Sequence, residues 1–329
     1  MRAVPGETTS SVRDAPVQER NLAIDRLRGA LVILMVAGDY LGGVHLVPSF
    51  LKHAPDIGFT IADAVAPCFI FAIGLNYGPS FARRAQQNMP SAYRHFFLRY
   101  LALIGIGAIL AAGGTAVAGS PAGWGVLQAI GLAGLICLLV IRLPMSARFA
   151  IGLLILFGYQ YLLNEWALSS VLHSAQGGFL GAISWGALLI LSTAVAEVWR
   201  KGLGPYLICC AVLVVAAVLS ALLVPVSKNR VSLSYVLIAL AISAVAYLLT
   251  ELVSRIVTKS AGFLCWWGEN ALVLYLVHLL ILGLLVLPRA GWWYADAPIW
   301  LAGLQLAVLL TATSLLAWWM HRRKVRVLL

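Results

Sequence analysis

The chain has 329 residues, of which 62% are hydrophobic and 11% charged, with a mean hydropathy of +0.94 and a formal net charge of +11. That balance leaves too little polar surface for a fold solvated mainly by water, so length is measured in bilayer-spanning helices rather than in soluble domains. Cys68, Cys137, Cys209, Cys210 and Cys265 all lie in apolar runs without zinc-site or disulfide-framework spacing, and the polar first twenty or so residues lack the apolar core of a cleavable signal.

In chain order, apolar runs fall at about 27–45, 58–78, 95–118, 124–141, 147–163, 179–199, 204–224, 231–251, 263–287 and 297–320, each near the ~20 residues that cross a bilayer. Turn and boundary chemistry separates them at Gly78-Pro79, Gly119-Ser120-Pro121, Leu143-Pro144, Gly204-Pro205, Val224-Pro225, Leu287-Pro288 and Ala297-Pro298. The expected fold is an all-α, polytopic integral membrane helical bundle of about ten transmembrane helices. Residues 1–25 form a cytoplasmic tail, 26–321 the transmembrane domain and 322–329 a basic cytoplasmic tail. No internal repeat or low-complexity linker is apparent.

The charge follows the alternation of these runs. With the N-terminus inside, all but Lys52, Lys228, Arg230 and Arg289 of the 23 basic residues fall on inner segments. The positive-inside rule therefore accounts for the net charge, and nucleic acid is not needed to explain it. Trp124, Trp166, Trp292, Trp293, Trp300, Trp318 and Trp319 stand near run ends, as in an interfacial aromatic belt. A multi-pass protein of the bacterial inner membrane is expected.

Ionisable groups within spans are expensive and mark cavities or partners, which makes Asp39, Asp63, Glu269 and His278 candidates. The segment His53-Ala-Pro-Asp-Ile-Gly-Phe-Thr-Ile-Ala-Asp63 gathers an imidazole and two carboxylates at one membrane face beside Asp39. A histidine oriented by a carboxylate is what activation of an amine or hydroxyl requires. Thr60-x-x-Asp63 also has the form of a capping box, a purely structural alternative. Tyr275 and His278, three apart, share one helix face and either line a cavity or join helices by hydrogen bonds. Gln128, Asn76 and Asn270 add uncharged polarity. On the outer side, Pro225-Val-Ser-Lys228-Asn-Arg230-Val-Ser232-Leu-Ser234-Tyr235 sets two basic groups among hydroxyls, either for an anionic substrate or as a solvated loop.

Four stretches resemble the heparan-alpha-glucosaminide N-acetyltransferase family, a branch of the transmembrane acyltransferases. They are Asp25-Arg-Leu-Arg28-Gly29 with Leu34-Met35; Leu51-Lys-His53-Ala with Gly58-Phe-Thr60-Ile-Ala-Asp63 and Pro67-Cys-Phe-Ile-Phe-Ala-Ile-Gly74; Trp124-Gly-Val-Leu-Gln128; and Lys228-Asn with Ser232-Leu-Ser234-Tyr235. Gly268-Glu-Asn270-Ala-Leu, Tyr275 and His278 follow the same pattern. The resemblance implies transfer of an acetyl group from cytoplasmic acetyl-CoA, a co-substrate, to an amine or hydroxyl of an extracytoplasmic sugar or glycan. It implies His53 as general base or acyl acceptor, with Asp39 and Asp63 beside it. Asp39 stands where members usually have asparagine, Asp56 where tryptophan is usual, Ala129 where arginine often follows the glutamine, and Arg230-Val231 where an aromatic is common.

The expected catalytic set is therefore His53, Asp39 and Asp63, with His53 held by one of the two aspartates. Gln128, Lys228, Ser232, Ser234, Tyr235, Asn270 and His278 are expected to bind substrate. The phosphates of CoA are assigned to Arg83 and Arg84 among the inner arginines, which also include Arg94 and Arg99; no glycine-rich phosphate loop is present and no metal is expected. Expected partners are membrane lipids and a sugar or glycan acceptor but no nucleic acid, with a homodimer left open. The rival reading is a small-molecule or lipid transporter or flippase. Against it stand the missing repeat and the gathering of polar residues at one face.

Overall fold

The structure, a computed structural model, describes residues 21–118, 123–257, 262–288 and 290–327. The N-terminal tail as far as residue 20, the Gly119-Ser120-Pro121 boundary, Lys259 and Arg289 lie outside the described residues.

Among the described residues the α-helices are α1 (Leu22–Gly42), α2 (Ile61–Gln87), α3 (Met89–Ala118), α4 (Val126–Val140), α5 (Met145–Leu162), α6 (Leu168–Leu172), α7 (Gly178–Arg200), α8 (Leu203–Leu223), α9 (Leu233–Ile256), α10 (Phe263–Glu269), α11 (Ala271–Val286) and α12 (Ile299–Arg322). No strand occurs among them, and the only extended pairing is an isolated bridge between Ile57 and Ser227. Seven helices are long and apolar enough to cross a membrane, or eight if α10 and α11, bent by 88° at Asn270, are one broken span. The expected ten would also require α1, which carries Asp25, Arg26, Arg28 and Asp39, and α4, which has only 15 residues.

Two prolines show how the bundle meets the bilayer's demand that every backbone group be satisfied internally. The expected break at Gly78-Pro79 does not occur, because α2 runs through both Pro67 and Pro79 to Gln87. A proline inside a helix leaves the carbonyl four residues earlier without its donor. For Pro79 that carbonyl is Leu75, and the Arg200 guanidinium donates to it at 2.8 Å. For Pro67 it is Asp63, and the Tyr235 hydroxyl donates to it at 2.8 Å. A boundary signal in the sequence is thus overridden by donors from α7 and α9.

The helix α7 lies at the centre, packed against α2, α4 and α5 and buried along most of its length. On the other side α1 packs against α10 with glycines at the contact. A Cβ on Gly29 would fall on the Leu264 carbonyl, and one on Gly268 on the Asp25 carbonyl. Small residues permit such contact, which supplies dispersion energy where water gives no hydrophobic drive. The N-terminus of α1 is capped by Asn21, whose side chain accepts from the amides of Ala23 and Ile24 at 3.0 and 3.2 Å.

Candidate active site

The loop from His53 to Thr60 enters α2, and its geometry is organised by one carboxylate. Asp63, fully buried, accepts from the Thr60 amide at 3.0 Å, the Thr60 hydroxyl at 3.0 Å and the Ala54 amide at 3.2 Å. Its other oxygen lies 2.8 Å from Nδ1 of His53 and 3.8 Å from the Lys228 ammonium. Helix capping and histidine orientation, competing explanations at the sequence level, are therefore performed by the same side chain. An ionised carboxylate only accepts, so in the neutral ring of His53 it is Nδ1 that carries the proton and Nε2 that has the lone pair. The imidazole is half-exposed, with 49% of its side chain accessible, while Asp63 behind it is sealed off.

A second loop, between α8 and α9, is clasped onto the first. The Arg230 guanidinium makes a bidentate pair with Asp56, its Nε reaching Oδ1 at 2.9 Å, and the Ser227 hydroxyl donates to the same carboxylate at 2.8 Å. The Asn229 amide donates to the Pro55 carbonyl at 2.6 Å and the Gly58 amide to the Val226 carbonyl at 2.8 Å. The hydrogen bond from Arg230 holds Asp56 below the usual carboxylate range. The turn this clasp secures presents Lys228, whose ammonium burial pulls below the usual lysine range while the nearby Asp63 pulls it back up.

Both loops, α1, α2, α4, α11 and the turn before α7 border a cavity of about 390 Å³ lined by Asp39, His53, Gln176, Lys228 and Tyr275 among apolar side chains. A second cavity of about 210 Å³, lined by Arg28, Arg99, Glu269, Asn270 and Val327, lies toward the other end of α1. Met35, Ala66, Val126 and Tyr275 line both, so the cavities meet at a common wall.

The sequence matches the catalytic-region family described as heparan-alpha-glucosaminide N-acetyltransferase, catalytic, over residues 20–181. The match spans just under half of the chain, which is similar to that family over this stretch. That similarity points to a membrane acetyltransferase. No curated protein matches it significantly. The matched segment holds α1, α2 and the His53 loop, but Lys228, Asn270 and His278 lie beyond it.

The expected site residues separate into groups. His53, Asp63, Asp39 and Lys228 converge on the larger cavity. Asp63, not Asp39, orients His53. Asp39 instead pairs with Nε2 of His278 at 3.0 Å, and His278 is fully buried with Nδ1 unpartnered among the described residues. Tyr275, on the same face as His278, lines both cavities.

Ser232, Ser234 and Tyr235 are buried and occupied with structure: Ser232 caps α9 by accepting from the Tyr235 amide, Ser234 donates to the Pro225 carbonyl, and Tyr235 serves the proline-freed carbonyl of Asp63. Gln128 folds back to the Gly125 amide at 2.5 Å and does not line either cavity. Asn270 sits at the α10–α11 break, far along the chain from the His53 loop. Its side chain donates to the Val325 carbonyl and accepts from the Val327 amide, both at 3.0 Å. Glu269 beside it pairs with His321. Arg83 and Arg84 are exposed at the end of α2 and line neither cavity, whereas Arg28 and Arg99 do line the smaller one. Gln176 was not legible as a site residue; its only signal is the Gly177-Gly178 pair that follows it. No group of three or more metal-ligating side chains occurs among the described residues.

Proposed function

We propose that this chain is a transmembrane acyltransferase that moves an acetyl group from acetyl-CoA, presented at the Arg28 and Arg99 end, to an amine or hydroxyl of a sugar or glycan at the His53 end. The observation that carries this is the meeting of the two cavities at Met35, Ala66, Val126 and Tyr275, with an oriented imidazole in one and two arginines in the other. The basic residues crowd the segments on the Arg28 side, which supports reading that side as the cytoplasmic one in a ten-span protein of the bacterial inner membrane. A 210 Å³ cavity is smaller than the roughly 300–1,000 Å³ that house whole ligands. It suits the narrow thiol-bearing arm of CoA, and the nucleotide phosphates stay at its mouth near Arg28 and Arg99.

At the common wall the thioester carbonyl meets the acceptor. Nε2 of His53 takes the N–H or O–H proton as the acceptor's nitrogen or oxygen bonds to the carbonyl carbon, and the C–S bond breaks to release the thiolate, which is then protonated. Asp63 stabilises the imidazolium that forms. Lys228 offers positive charge to the carbonyl oxygen as it becomes an oxyanion, in a cavity where most of the wall is apolar and charge is poorly screened.

The test is purified protein in liposomes with radiolabelled acetyl-CoA outside, an acceptor mixture of amino and neutral sugars inside, and wild type compared with His53→Ala. Label is expected to reach the acceptor in wild type and to fall by about 10²–10⁴ in the variant. Equal CoA release by the two would remove His53 from the reaction. Passage of sugar across the vesicle without thioester consumption would make the protein a transporter.

A further inference from the structure

The wall of the His53 cavity contains one residue that bears two separate local penalties, and both fall on the same side chain. Gln176 has φ 56° and ψ 25°, the left-handed region that a side chain with a Cβ rarely occupies. It opens a run of positive φ, with Gly177 at 75° and Gly178 at 62°. Its side-chain carbonyl oxygen, Oε1, is buried and has no hydrogen-bond partner. Strain and an orphaned polar atom are each unfavourable, and they persist together only where surrounding structure enforces them.

The enforcement is visible. The Trp185 indole donates to the Gln176 carbonyl at 3.1 Å, holding the backbone in place. A Cβ on Gly177 would come within 2.8 Å of Val231, and one on Gly178 within 2.8 Å of Ser174. Val231 is itself left-handed, at φ 48°, and its carbonyl accepts from Ser184 at 2.8 Å. The Gln176 turn is therefore wedged against the turn that presents Lys228, and the two line the cavity together with His53 and Asp39. Glycine would fill position 176 without strain, as it does at the next two. A glutamine there delivers an amide to the cavity at the expense of the fold.

The geometry points to Gln176 as an acceptor-binding residue, whose side-chain carbonyl receives a hydrogen bond from a hydroxyl or amino group of the molecule being acylated. This deepens the acyl-transfer proposal and rests on it. The orphan is an acceptor atom, and a sugar brings donors, whereas a thioester carbonyl brings none. Lys228 and Gln176 thus divide the cavity, the cation facing the acyl oxygen and the amide facing the nucleophile's polar groups.

Gln176→Gly separates a role in binding from one in folding. It removes the amide while relieving the left-handed strain, so the thermal midpoint is expected to stay level or rise. The KM for the acceptor, measured with the sugar mixture described above, is expected to rise roughly 5–150-fold, while the KM for acetyl-CoA stays within twofold. Gln176→Asn, which tolerates the left-handed region but is one methylene shorter, is expected to fold as well and to show an intermediate acceptor KM. Wild-type turnover with an unchanged acceptor KM in Gln176→Gly would overturn this assignment alone. A loss confined to the thermal midpoint would likewise make the residue purely structural. Absence of wild-type turnover would overturn acyl transfer, and this assignment with it.

Discussion

Replacing Asp63 by asparagine tests the site with almost no change of shape. The carboxylate accepts from three donors on Oδ2, the Ala54 and Thr60 amides and the Thr60 hydroxyl, and from His53 on Oδ1. Asparagine can offer only one acceptor oxygen. Turning its NH2 toward the loop would leave the Ala54 and Thr60 amides without an acceptor, at about 1–3 kcal/mol for the buried Ala54 donor. The side chain is therefore expected to keep its oxygen on the loop and set its NH2 against His53.

The NH2 group then donates to Nδ1, so Nδ1 must hold the lone pair and Nε2 the proton, the reverse of what a base requires. Lys228 also loses its buried counter-charge. Asp63→Asn is thus expected to fold, with a modest drop in thermal midpoint, and to lose about 10²–10⁴ in kcat. The assay is initial rate of acetyl transfer in liposomes beside thermal unfolding of the same preparation. Turnover within about threefold of wild type, in a folded variant, would refute the tautomer argument and with it the role given to His53.

Three further outcomes follow from other parts of the fold. Asp56 has its folded pKa lowered from 3.8, so its clasp with Arg230 contributes stability above the ordinary carboxylate range and loses it as pH falls through the lowered value; the wild-type thermal midpoint should decline in acid more steeply than that of Asp56→Asn. Gly268→Ala should destabilise by about 1–3 kcal/mol, seen as lower yield and thermal midpoint in detergent, since its Cβ would land on the Asp25 carbonyl and force α1 from α10; an unchanged midpoint would show that the two helices can part freely. Asn270→Ala removes both hydrogen bonds that hold residues 325 and 327 against the smaller cavity. Limited proteolysis should then cut near Val325 in the variant and spare wild type, and the KM for acetyl-CoA should shift because Val327 lines that cavity.

Composition and spacing alone settle the solvent and the chemistry available. Apolar runs of bilayer length, basic residues on alternate segments and the His53-to-Asp63 stretch follow from composition and spacing, because a bilayer admits few backbone solutions and charges are costly within it. Which aspartate serves which histidine depends on how the helices pack. Asp39 and His278 are 239 positions apart, and no local pattern pairs them. The same holds for Tyr235, whose hydroxyl looked free for substrate until the fold brought the proline-freed carbonyl of Asp63 to it. Gly78-Pro79 read as a boundary because the donor that replaces the missing hydrogen bond, Arg200, lies 125 residues from the carbonyl it serves. Periodicity and propensity are properties of neighbours along the chain, whereas hydrogen-bond satisfaction inside a bilayer is settled between helices, and that is where the site was decided.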